Sequence, residues 1–156
     1  MLKLKNRNGS LAQISEAFEN HKKQFIAEAI EVMAYVGEEF VKNAKTNLHV
    51  NKSVFPKGNY QDQTANLRSS IGYYILHNEK VVKYNLEPLA NMSILRSLFT
   101  RRSRKGLRLV GVAGKDYASK VESKGYNVIT SQAEVAFVDL KVDLTAVARK
   151  YGITIR

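Results

Sequence analysis

The chain has 156 residues, 44% hydrophobic and 25% charged, with 25 Lys and Arg against 14 Asp and Glu, a formal charge of +11. A chain of this length can build one domain with a sizeable core, and its apolar content argues against a fully disordered polymer. It holds no Cys, which excludes disulfides and Cys-ligated zinc, and no apolar run is long enough for a membrane-spanning helix.

The excess of positive charge favours contact with polyanions and says nothing of the fold. No apolar stretch follows the basic residues of Met1 to Lys5, so no signal peptide is read and cytoplasmic synthesis is expected. Residues 1–9 read as a flexible basic arm, and residues 10–156 as a single α+β domain.

Ser10 and Gln13 have capping-box spacing, which predicts a helix start. The stretch that follows lacks Pro. Leu11, Ile14, Phe18, Phe25, Ala29, Val32, Met33, Val36 and Phe40 fall on one stripe at 100° per residue. This predicts one helix over about 10–46, roughly 50 Å long at 1.5 Å per residue. Such a helix outruns a small domain, so part of the stripe needs a partner chain. Lys22 interrupts the stripe. Glu19 with Lys23 and Glu38 with Lys42 have favourable i,i+4 spacing. Gly37 weakens the helix and allows a bend.

Residues 47–61, with Pro56, Gly58 and Asn59, read as a loop. Residues 62–68 read as a short turn of helix or an ordered loop. Residues 69–76 and 80–86 are rich in β-branched and aromatic side chains and read as strands, with His77-Asn78-Glu79 as the hairpin turn. Residues 87–105 form an irregular basic loop, and 107–112 read as a third strand. A short helix over 116–123 stops at Gly125. An extended piece follows, and Ser131 is the expected N-cap of a last helix. In that helix Ala133, Phe137, Leu140, Leu144, Val147, Ala148 and Tyr151 share one face, with Val135, Val142 and Ala146 opposite. Two apolar faces suggest cover from its own domain and from another chain. The competing reading of 134–144 is a strand, because Val138, Leu140, Val142 and Leu144 alternate with polar residues.

Catalytic chemistry is not evident. His21, His49 and His77 share no metal-ligand spacing. Gly111 to Lys115 lacks the first Gly of a phosphate loop and has Asp116 where Ser or Thr is needed. Its GxxG follows a strand, whereas a KH clamp joins two helices. No Ser sits in a nucleophile elbow. Asp139 and Asp143 flank Lys141 and read as a solvated face. No enzyme, cofactor or metal is therefore expected. The strongest compositional signal is the basic run of Arg96, Arg101, Arg102, Arg104, Lys105 and Arg108, read as a solvated loop or as a set of phosphate contacts. Phe99 is the one aromatic inside it, too little for a base-stacking platform.

Two stretches carry a resemblance when taken together. The first is Thr64-Ala65-Asn66-Leu67-Arg68-Ser69-Ser70-Ile71. The second is Tyr117-Ala118-Ser119-Lys120-Val121-Glu122-Ser123-Lys124-Gly125, followed by Tyr126-Asn127-Val128. In order and spacing they resemble the tailed-bacteriophage tail-component family, of head–tail joining or tail-completion neck type. Its members typically carry TGNLRxSI and then YAxxVExG after a long N-terminal helix. Here Ala65 stands where Gly is usual, and Tyr126-Asn127-Val128-Ile129 replaces a frequent Pro-Phe. The resemblance covers about residues 10–150.

The resemblance implies an α+β fold: a long helix packed on an antiparallel sheet of about three to four strands, with one short and one C-terminal helix. It implies a non-enzymatic structural role, with subunits in a ring at the phage or prophage head–tail junction. Partners would be other copies and neighbouring neck and tail proteins, with non-specific DNA contact as an option and no membrane. The location would be the virion, after assembly in the bacterial cytoplasm. In this reading Thr64, Asn66, Leu67, Arg68, Ser70, Ile71, Tyr117, Ala118, Val121, Glu122 and Gly125 are structural. Leu67 and Ile71 would anchor the core, and Arg68 would pair with a carboxylate, Glu122 being the candidate. The alternative is a stand-alone basic nucleic-acid-binding protein using the 96–108 loop.

Overall fold

The computed structural model describes residues 11–47, 66–86, 105–114, 118–124 and 128–153. The elements run α1 (Leu11–Asn47), α2 (Asn66–Ser69), β1 (Ile71–His77), β2 (Lys80–Tyr84), β3 (Leu107–Ala113), α3 (Ala118–Ser123) and α4 (Thr130–Lys150). This is the α+β class, with a long N-terminal helix, a three-stranded antiparallel sheet and a C-terminal helix. The proposed capping box at Ser10, the 1–9 arm, the 47–61 loop beyond α1 and most of the basic loop lie outside the described residues.

The sheet order is β2-β1-β3, with β1 antiparallel to both neighbours. A central strand is covered on both faces, which suits the aromatic and β-branched run of β1. Tyr73 and Ile75 face α1 and join Leu67, Ile71, Met33, Phe40 and Ala44 in the main core. Tyr74 and Leu76 point the other way and pack with Val112, Val81, Leu86 and Val110. The hairpin turn is Asn78-Glu79, with φ of 48° and 70°. Positive φ at both central residues is the type I′ requirement, which suits Asn and strains Glu. The Asn78 side chain also accepts the Gly106 amide at 2.9 Å, and Gly106 returns its carbonyl to the Asn78 amide at 3.1 Å. The turn thereby fixes where β3 begins.

Helix α1 is continuous through Gly37. The position is a close approach rather than a bend: a Cβ there would lie 2.8 Å from the Tyr73 ring. Gly111 on β3 does the same for the Phe40 ring, at 2.6 Å. Two glycines therefore let two aromatic rings lie flat between helix and sheet. Glu38 faces the sheet, accepting the Tyr73 hydroxyl at 3.0 Å and the Asn85 amide at 3.4 Å. Burial, reinforced by Glu38, pushes the Tyr73 phenol up to about 12. The helix ion pairs accordingly differ from the i,i+4 expectation. They are Glu19–Lys22 at 3.5 Å and Glu39–Lys42 at 3.1 Å, both i,i+3.

Helix α4 runs back along α1, and the strand alternative for 134–144 is overturned. Its N-terminus is not capped by Ser131, which lies inside the first turn; the N-cap position is Ile129, which makes no side-chain cap bond. Glu122 of α3 supplies the acceptor instead. Its carboxylate takes the Ile129 amide at 2.8 Å, the Thr130 amide at 3.0 Å and the Thr130 hydroxyl at 2.9 Å. The other end closes with Gly152 at φ 70°. There Ile153 donates to the Ala148 carbonyl at 2.8 Å and Gly152 to that of Arg149 at 3.0 Å. This is a Schellman stop.

Candidate interaction surface

The structure brings the two motif stretches together as core. Leu67, Ile71, Ala118, Val121 and Val128 belong to one buried cluster. Ser70 is buried, and its hydroxyl donates to the Leu67 carbonyl at 2.7 Å. The Ser70 carbonyl accepts the Gly114 amide at 2.9 Å, which ties the end of β3 to the α2–β1 corner. Asn66 and Arg68 are exposed on α2. Glu122 is engaged at the start of α4. Burial raises its pKa, but the amides of Ile129 and Thr130 and the Thr130 hydroxyl outweigh this and hold it below the usual carboxylate range. Thr64, Tyr117 and Gly125 lie outside the described residues.

The basic run is divided. Arg96, Arg101, Arg102 and Arg104 lie outside the described residues. Lys105 is exposed just ahead of β3. Arg108 is within β3 opposite Leu76, half-buried, and its Nε is shut away from solvent with no hydrogen-bond partner among the described residues. It is therefore a strand residue with a packed stem, and not part of a free loop.

What stands out is uncovered apolar surface on the two long helices. The α1 stripe splits in two. Its C-terminal half, from Ala29 to Ala44, is in the core. Its start is uncovered: Leu11, Ile14 and Phe18 are 82%, 50% and 67% exposed. Near this end α1 receives a clasp from the end of α4. Tyr151 packs edge-on against His21 and Phe25, with ring centroids 4.9 and 5.6 Å away. Its hydroxyl and the Lys150 ammonium both reach the Glu28 carboxylate, at 2.9 and 2.8 Å. The hydrogen bonds from Lys150 and Tyr151 lower the Glu28 pKa, and the same bonds raise those of both donors.

On α4 the inner face is Ala136, Leu140, Leu144, Val147 and Ala148. Val135, Val138 and Val142 point outward and are at least half exposed. Phe137, expected on the packed face, is a correction: it is 69% exposed. It lines an apolar opening with Leu109, Gly111 and Leu140. Ala133, expected beside it, is exposed as well.

Between the two helices lies a groove of about 400 Å³. Val36, Phe40 and Ala136 form its floor, and Tyr35, Val135 and Val142 its apolar walls. Three carboxylates also line it: Glu39, Asp139 and Asp143. Among the described residues no cluster of His, Cys, Asp or Glu is arranged to hold a metal ion, and no helix is long and apolar enough to cross a membrane. Comparison of the chain with protein-family models, curated proteins and solved structures returns no match.

Proposed function

We propose that this protein is a non-enzymatic structural component of a phage or prophage tail or head–tail junction, and that its copies associate into a ring. The observation that carries the reading is the bare start of α1, from Leu11 to Phe18, together with the bare outer face of α4. A monomer gains nothing from holding Leu11, Ile14, Phe18, Val135, Val138 and Val142 in water. Contiguous apolar surface of this kind marks an interface. The two surfaces differ, so joining one to the other is head-to-tail, and a head-to-tail contact closes into a ring when its rotation divides the circle. The paired sequence stretches that resemble the tail-component family give the biological setting. Neighbouring neck and tail proteins are the further partners, and the virion, assembled in the bacterial cytoplasm, is the location.

Sedimentation velocity of the full chain tests this, run at rising protein concentration and about 150 mM salt with a trace of labelled DNA duplex. A discrete multimer with the duplex sedimenting free supports assembly. A monomer that carries the duplex at sub-micromolar protein replaces it with nucleic-acid binding through the 96–108 segment.

A further inference from the structure

The groove between α1 and α4 is specific enough in chemistry to name its occupant. We propose that it receives the basic N-terminal segment, residues 2–7, of a neighbouring copy. The inference rests on the assembly reading and identifies the contact that joins the copies.

The groove asks for a ligand that is apolar along one side and cationic along the other. Its floor is hydrophobic, with Val36 and Phe40 buried. Its charged lining is acidic throughout, on a molecule of net charge +11. Glu39 already holds Lys42 at 3.1 Å. Asp139 and Asp143 make no hydrogen bond or ion pair among the described residues. Lys141 does not neutralise them from α4, since two residues place it about 200° round the helix from each.

The segment Leu2-Lys3-Leu4-Lys5-Asn6-Arg7 matches this demand. Its leucines and lysines alternate, so a single extended backbone sets Leu2 and Leu4 to one side and Lys3 and Lys5 to the other. Arg7 adds a fork suited to a carboxylate. The segment from Arg104 to Leu109 has a similar make-up, but its leucines are committed to β3.

Chain geometry decides between the same copy and another. The groove begins at Tyr35 on α1, which lies about 36 Å along the helix axis from Leu11 at 1.5 Å per residue. Leu4 can stand at most about 25 Å from Leu11, even fully stretched. A chain therefore cannot fill its own groove with Leu2, Leu4 and the three cations. The arm must be donated. The bare stripe of Leu11, Ile14 and Phe18 follows directly after the arm, so a donor seated this way brings that stripe to the acceptor's exposed valines. Sequential donation builds a ring, and reciprocal donation builds a dimer.

A charge exchange on the full chain tests the proposal. One variant carries K3E/K5E/R7E and the other D139K/D143K, with unfolding curves checking that both fold. The expected result is association at least about tenfold weaker for each variant alone, restored when the two are mixed. If both variants associate as tightly as the wild type, the arm has no part in the contact, and the inference falls while the assembly reading stands. A labelled peptide of residues 1–10, titrated onto the wild-type full chain and onto D139K/D143K, gives a second readout independent of self-association. Saturable binding that the variant loses supports the groove as the receptor. Absence of binding, or equal binding to both, overturns it. A wild-type chain that stays monomeric counts against the assembly reading, and the peptide still decides the groove.

Discussion

Replacing Gly37 by Ala sets two effects against each other, and the structure says which wins. Helix propensity alone predicts a gain of about 0.8–1.0 kcal/mol, because Gly is the costlier residue within a helix. The new methyl, however, would lie 2.8 Å from Cγ and Cδ1 of Tyr73 and 3.0 Å from Cδ2. Carbon atoms rest about 3.5–4.0 Å apart. The ring has little room to retreat. Tyr73 is 1% exposed, its hydroxyl is held by Glu38 at 3.0 Å, and its backbone amide is held by the Asn85 side chain at 2.8 Å. Overpacking of this kind costs about 1–3 kcal/mol. Subtracting the propensity gain leaves a net loss of up to about 2 kcal/mol. Urea unfolding at neutral pH reads it as a lower midpoint with an unchanged slope. In the Gly37→Ala, Tyr73→Leu double variant the clash is gone, and the cycle should show a coupling of at least about 0.5 kcal/mol. A midpoint that rises in Gly37→Ala refutes the packing argument.

Glu122→Gln removes the charged acceptor at the start of α4 and should cost about 1 kcal/mol near pH 7. The folded-state pKa of Glu122 lies below its ordinary value, so its contribution is complete above the unfolded pKa and fades as pH falls through the folded one. Stability curves of variant and wild type should therefore converge below about pH 4; a constant gap down to low pH contradicts the assignment. Glu79→Gly relieves the positive φ of the hairpin turn and should raise stability by about 1 kcal/mol, measured by thermal unfolding. Leu11→Ser with Phe18→Ser should change the stability of the monomer by less than about 0.5 kcal/mol while weakening self-association, because neither residue has cover among the described residues.

Much of the fold is written in local pattern. The α1 stripe, the β1–β2 hairpin and β3 are periodic segments bounded by turn residues, and each lies within a few residues of its expected place. The 134–144 segment shows where pattern runs out. As a strand it would set Val138, Leu140, Val142 and Leu144 on one side. In the helix Leu140 and Leu144 face the core, while Val138 and Val142 are 60% and 63% exposed. Only the position of α1 decides between these. The cap of α4 was illegible for a similar reason, since Ser131 has the right chemistry but Glu122 comes from the preceding helix. The clasp of Glu28 by Lys150 and Tyr151 joins opposite ends of the chain, and no local spacing announces it. The stop of α4 at Gly152 follows the basic pair Arg149-Lys150, and helices commonly end in this way. Asp139 and Asp143 read as a solvated face in sequence. Folding places them in a groove with Tyr35 and Phe40, a juxtaposition that only the pairing of α1 with α4 creates.

The central claim is closed self-assembly, and electron microscopy of the purified full chain at concentrations where it associates tests it most directly. The account predicts class averages of one closed ring with a fixed copy number and an open centre, lost when Leu11 and Phe18 are replaced by Ser. Open filaments, particles of mixed size, or a field of monomers at every concentration would contradict it.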